Sequence, residues 1–166
     1  VLCMNIDNKT KEVCDAIASV ISPSYLVGGC VRDILLNRPI NDLDFCTPLL
    51  PDDIEQKIID SGRKCLNIGK KFGTLGMKYQ FDPKQKSEVI EITSFRREAY
   101  KPGNRKPEVE FVGNITADLS RRDFTINSMA LSTKDYHLTD PFNGQEDLKN
   151  KIIRCTGNPT ERFKED

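Results

Sequence analysis

Asp42 and Asp44 stand two residues apart, a spacing at which carboxylates can do chemistry together. On an extended strand, residues i and i+2 point to the same face, so the two acids project side by side. Acids crowded beside the apolar Leu43 and Phe45 repel one another unless a cation lies between them. Two Mg2+ ions about 3.5–4 Å apart suit such a pair. Mg2+ takes a few carboxylates and completes its shell with substrate phosphates, and Mn2+ satisfies the same oxygens. Taken alone, Asp42-Leu43-Asp44 is better read as a solvated strand end after a turn.

Three other groups could share that chemistry. Gly28 and Gly29 lie between an apolar run and a helix start. Glycine lets the backbone approach a ligand closely, and free N–H groups at a helix start suit a phosphate. Arg32 adds a planar fork matched to phosphate oxygens. A plain strand-to-helix turn explains the glycines equally well. Glu91 interrupts the β-prone stretch Val89-Ile90-Glu91-Ile92-Thr93. A carboxylate in a central strand needs a partner: it is either a third acid of the same site or one half of a cross-strand salt bridge. Arg121 and Arg122, before Asp123-Phe124-Thr125-Ile126-Asn127, could clamp a triphosphate through bidentate bonds or could line a solvated helix face.

The elements that must position these groups follow from pattern. Val13, Ile17, Val20 and Ile21 give helical spacing over Lys9 to Ile21. Tyr25-Leu26-Val27 reads as a buried strand, followed at once by a helix through Leu36 that Asn37, Arg38 and Pro39 end. Asp42 to Cys46 reads as a strand, and Pro51 to Ser61 as a helix with Pro at its start. Strands are expected around Lys64–Ile68, Thr74–Phe81 and Glu88–Phe95. Arg96 to Pro107 is polar, with two Pro and one Gly, and reads as a mobile loop. Ile115 to Asp123 reads as a helix, Asn127 to Ser132 and His137 to Thr139 as short strands, and Gln145 to Asn150 as a short helix. The mixture predicts an α/β (α+β) domain with one mixed central sheet flanked by helices.

The 166 residues fit one domain, long enough to bury a core without disulfides. Lys plus Arg and Asp plus Glu are 25 each, which argues against gripping nucleic acid by bulk charge. None of the six cysteines stands at CxxC spacing, which argues against zinc. Their spread reads as reduced thiols of a cytoplasmic protein, from a bacterial, organellar or cytosolic parent. No apolar run is long enough to span a membrane. The last residues, GNPTERFKED, contain neither a helix end nor a turn, and we expect an excised part of a longer chain.

Each signal is modest, but their order is specific. Gly28-Gly29-Cys30-Val31-Arg32-Asp33, then Asp42-Leu43-Asp44, a strand Glu91 and Arg121-Arg122-Asp123-Phe124-Thr125-Ile126-Asn127 resemble the class II nucleotidyltransferases of the polymerase β superfamily. That group comprises CCA-adding enzymes, CC-adding and A-adding relatives, and bacterial poly(A) polymerases. The resemblance runs from Tyr25 to Asp166 and implies a polymerase β-like catalytic head that precedes neck, body and tail domains. It implies template-independent, metal-dependent transfer of nucleotides from CTP and ATP to the 3′ end of tRNA. Asp42 and Asp44 match the metal-binding pair and Glu91 the third carboxylate. Gly28, Gly29 and Arg32 match the phosphate-binding motif. Arg121 and Arg122 match the nucleotide-contacting arginines, supported by Asp123, Thr125 and Asn127, with Asn127 toward the ribose. Arg97 to Val112 matches a flexible loop that switches between C and A addition. Glu165-Asp166 resembles the start of the base-reading EDxxR motif, and the chain stops before its arginine. Ile68-Gly69-Lys70-Lys71-Phe72-Gly73-Thr74 resembles the CCA-adding pattern, whereas poly(A) polymerases carry a more basic stretch followed by histidine. His137 lies too far along for that place and reads as an ordinary strand or turn residue. A- or CC-adding enzymes, poly(A) polymerases and a non-catalytic nucleotide- or RNA-binding module remain as alternatives.

Overall fold

A computed structural model describes residues 4–99, 102–103 and 108–157. Helix α1 (Asn8–Val20) starts where the Asp7 carboxylate accepts the Thr10 N–H at 2.6 Å, an N-cap that satisfies a free donor. Val13, Cys14 and Ile17 form its buried stripe. Strand β1 (Tyr25–Val27) leads into α2 (Gly29–Leu35). Strand β2 (Asp44–Thr47) precedes α3 (Pro51–Asp60), which has Pro in its first turn together with Asp52 and Asp53. Strands β3 (Cys65–Gly69), β4 (Thr74–Tyr79) and β5 (Glu88–Ser94) follow. A ribbon of β6 (Arg96–Ala99) and β7 (Glu108–Phe111) leads to α4 (Ile115–Ser120), capped by Asn114. Strands β8 (Ala130–Ser132) and β9 (Leu138–Thr139) and helix α5 (Gly144–Lys149) complete the described chain.

Seven strands form one mixed sheet in the order β3-β4-β5-β2-β1-β8-β9. The β2–β5 pair is parallel and the other pairs are antiparallel. Leu26, Phe45, Leu75, Ile92 and Leu131 share one face, buried against α1, α2 and α3. Alternation then turns Val27, Asp44, Glu91 and Ala130 to the opposite face. There a smaller apolar cluster of Val27, Cys46, Phe95, Leu119 and Ala130 covers only part of the sheet. The acids therefore share a face because their neighbours Phe45 and Ile92 belong to the core.

Three expectations change. Asp42 lies before the strand, because pairing begins at Asp44, whose partner Val27 is the last residue of β1. Arg96 to Pro107 is not a loop throughout: β6 pairs with β7, and the opposed Arg97 and Glu110 form an ion pair at 2.8 Å. Cross-strand charge pairs let so polar a segment form strands. Residues 100–101 and 104–107 lie outside the described residues. Helix α4 ends at Ser120, and Phe124 goes on to bridge Cys155.

Helix α5 meets the 3-10 turn Thr125–Asn127 backbone to backbone. A Cβ on Gly144 would strike the Thr125 carbonyl oxygen and come within 3.0 Å of Met129 Sδ. We expect Gly144→Ala to cost about 1–3 kcal/mol, as overpacking does. Urea unfolding checks this, and unchanged stability would mean that α5 withdraws from the turn freely.

Candidate active site

The β1–α2 turn is built on Gly28, whose φ of 82° and ψ of −145° belong to glycine. Arg32, in the following helix, folds back over this turn. Its NH2 group lies 3.3 Å from where a Gly29 Cβ would stand. One arm donates to Asn127 Oδ1 at 2.9 Å, and Nε donates to Asp33 at 3.2 Å. Arg122 approaches from just beyond the end of α4, with NH1 3.8 Å from the Cβ position of Gly28. Gly28, Gly29 and Arg32, close in sequence, are thus joined around one turn by Arg122 from far along the chain.

The sheet register places the acids beside it. Val27 pairs with Asp44 on one side, and Asp44 pairs with Glu91 on the other. Neighbouring strands lie about 4.8 Å apart, so the end of β1, Asp44 and Glu91 run in a row across the open face. Burial raises the Asp44 pKa above the ordinary value, the Arg122 charge lowers it, and Asp42 raises it again. Asp42, Asp44 and Glu91 line a cleft of about 460 Å³ that extends past Lys9, Phe81 and Val89. Gly28, Gly29, Arg32 and Arg122 do not line that cleft; they stand on the β1 side of Asp44.

Asp123 is exposed and ties the turn together. Its Oδ1 accepts the Phe124 N–H at 2.7 Å and Asn127 Nδ2 at 3.4 Å. Thr125 is buried, its hydroxyl donating to Asp147 at 2.7 Å. Lys70 anchors the turn of the Ile68–Thr74 stretch to α3 through Asp52 at 2.7 Å and Glu55 at 3.2 Å. Gly73 leaves room for Phe111 of β7, whose ring a Cβ would meet at 2.7 Å. His137 is an exposed residue whose N–H donates to Asp135. Glu165 and Asp166 lie outside the described residues.

Sequence reasoning missed Asp118. Its side chain is 1% exposed and forms ion pairs with Arg121 at 3.4 Å and Arg122 at 3.2 Å. Burial lowers the Arg121 pKa, Asp118 opposes that, and Arg122 and Arg96 add to it. The signal was available: an acid three and four residues before two arginines on a helix faces both of them.

The description Poly A polymerase head domain matches residues 24–154 of the chain. A CCA-adding enzyme of Staphylococcus saprophyticus is 45% identical over 144 residues, 86% of this chain and 33% of that protein. The crystal structure of the Bacillus stearothermophilus CCA-adding enzyme in complex with CTP superposes with a TM-score of 0.76 at 34% identity, covering 97% of this chain and 37% of that one. A tRNA nucleotidyltransferase complexed with a primer tRNA and an incoming ATP analog gives a TM-score of 0.65 at 34% identity, over 92% of this chain and 41% of that one. The chain thus spans about a third of the length of the curated relatives it matches. With that match over most of its length and a polymerase β-like sheet, the chain belongs to the poly(A) polymerase head-domain family.

Proposed function

We propose that this chain is the catalytic head of an RNA nucleotidyltransferase that adds C and A to the 3′ end of tRNA from CTP and ATP. The observation that carries this reading is the row formed by the Gly28 turn, Asp44 and Glu91 across three adjacent strands. It sets a glycine turn with two arginine forks beside carboxylates on an open sheet face. The similarity to CCA-adding enzymes supports the choice of substrate.

Gly28 and Gly29 let the triphosphate approach the backbone, and Arg32 and Arg122 bind its oxygens. Asn127 holds the Arg32 fork through its amide oxygen, and we assign it to the ribose side of the nucleotide. The donor set fits a hard divalent cation. Asp42 and Asp44 offer only carboxylate oxygens, and the Asp44 pKa is raised by desolvation first, with the Asp42 charge adding to it against Arg122. Among the described residues no group of three or more His, Cys, Asp and Glu could hold an ion. Asp42 and Asp44 would hold such an ion, Mg2+ or Mn2+, with substrate phosphates and water supplying further oxygens. Such ions, when bound, lower the proton affinity of the RNA 3′-hydroxyl and neutralise charge on the triphosphate. Glu91, paired with Asp44 on the far side from the glycine turn, is assigned to the catalytic cleft beside the two aspartates and not to the ion itself. The chain positions and stabilises charge rather than forming covalent intermediates.

We place base reading in Glu165-Asp166 and the residues that follow them in longer relatives, and the grip on tRNA in neck, body and tail domains. Cys14, Cys30 and Cys46 are buried free thiols. Burial pushes Cys14 up to about 12 and Cys30 up to about 11. Such thiols are inert and agree with a cytoplasmic setting. No helix among the described residues is long and apolar enough to cross a membrane.

The test is a 3′-extension assay with Mg2+ on tRNA lacking CCA, tRNA ending in C and tRNA ending in CC. Each is given CTP, ATP or both, and the full-length protein is run beside this chain. Completion of CCA on all three is expected from the full-length protein. Addition of A to the CC end alone would make it an A-adding enzyme. Extension of no RNA would leave a nucleotide-binding module.

A further inference from the structure

Asp118 has no part in the chemistry proposed above, yet it is among the most buried charged groups described. Its two oxygens accept three hydrogen bonds. The Arg96 N–H donates to Oδ1 at 2.9 Å, Arg121 Nε to the same oxygen at 3.4 Å, and Arg122 NH2 to Oδ2 at 3.2 Å. A carboxylate this deep requires such partners. What matters is which partners they are: both adjacent arginines of the nucleotide-contacting motif, and the first residue of the β6–β7 ribbon.

The contact orients Arg122. With NH2 held by Asp118, NH1 lies over the Gly28 turn, 3.8 Å from the Cβ position. Arg122 Nε is buried and without a hydrogen-bond partner, so no other bond to that atom orients the fork. Asp118 also keeps two neighbouring guanidinium groups together that would otherwise repel one another. Oδ1 serves Arg121 and the Arg96 amide at once, so the clamp and the root of the ribbon share one atom. That root is further fixed by Arg96 NH1, which donates to the Phe72 carbonyl at 2.7 Å.

We propose that Asp118 is a positioning residue, which aims the Arg122 fork at the triphosphate site over Gly28 and couples that fork to the β6–β7 ribbon. This rests on the nucleotidyltransferase reading of the site. Asp118→Asn keeps the shape and leaves the site one charge more positive. Added positive charge favours triphosphate in the ground state, whereas a misaimed fork weakens the transition state, so the two kinetic constants separate. In the full-length protein, kcat falls by about tenfold or more while KM for CTP and ATP changes by less than about threefold. In an Arg122→Ala background, Asp118→Asn causes less than about a twofold further loss, because the residue it acts through is gone. Equal losses in both backgrounds, or wild-type kcat in Asp118→Asn, overturn the proposal.

Arginine side-chain NMR on the wild-type protein keeps the test open if Asp118→Asn fails to fold. The Arg121 Nε–H and Arg122 guanidinium signals are expected to be sharp and protected from solvent exchange. Rapidly exchanging, averaged signals overturn the positioning role. A wild type that extends no RNA overturns the functional reading underneath, a result distinct from equal losses in an active enzyme.

Discussion

Asp42→Ala or Asp44→Ala in the full-length protein is expected to abolish nucleotide addition and to leave the fold standing. Both residues are exposed and outside the core, Asp42 before β2 and Asp44 at its first position. Neither removal opens a cavity. Metal-based charge stabilisation is worth several kcal/mol, and each 1.4 kcal/mol is tenfold in rate, so a loss of at least about a thousandfold is expected. The stability effect has the opposite sign. At the cleft, neighbouring protein partly desolvates the otherwise exposed Asp44 carboxylate and raises its pKa above 3.8, so without metal the ionised form is disfavoured in the folded protein relative to the unfolded chain. That destabilisation is present above the folded pKa and fades as pH falls through it toward 3.8. Asp44→Asn, which removes the charge, is therefore expected to melt at or above the wild-type temperature at pH 7 in chelator. Mg2+ with nucleotide should raise the melting temperature of the wild type and not of the variant. Turnover retained in either alanine variant would sink the metal assignment.

Gly28→Ala damages both the frame and the site. At φ 82° and ψ −145° an L side chain is strained, at about 1–3 kcal/mol. Space is not the obstacle, since the nearest atom to a new Cβ is Arg122 NH1 at 3.8 Å. The cost is in the backbone, and relief requires the turn to move. Any such movement shifts the start of α2, the Arg32 that follows it, and the surface under Arg122. We expect a stability loss in that range together with a loss of triphosphate binding by calorimetry. Gly62→Ala is the control: its φ is 80° and nothing lies within 4 Å of a Cβ there. It should lose stability while binding triphosphate normally. Equal binding by both variants would remove Gly28 from the phosphate site.

Local chemistry made much of this molecule legible before folding was considered. Tyr25 to Leu35 reads as strand, turn and helix because an apolar run, two glycines and a helical spacing follow directly on one another. Glu91 was conspicuous because a charge interrupts a β-prone stretch, and its face follows from alternation with Ile90 and Ile92. The i,i+2 spacing of Asp42 and Asp44 pointed to paired acids, although only Asp44 is on the strand.

Period-two alternation assigns a face and says nothing about which strand lies alongside. Only tertiary structure decided that β2 pairs in parallel with β5, which sets Glu91 beside Asp44. The polar Arg96–Ala99 segment has no hydrophobic pattern of its own and becomes a strand because Glu108–Phe111 supplies opposed partners, Glu110 for Arg97 among them. Asp118 had the spacing to meet two arginines. Its burial and its bond to the Arg96 amide depend on where β6 begins against α4. The residue types and their order determined the chemistry available, since charge, glycine freedom and helical or strand period are properties of the local chain. The assembly of those groups into one site was decided by pairing between segments distant in sequence, which no local pattern encodes.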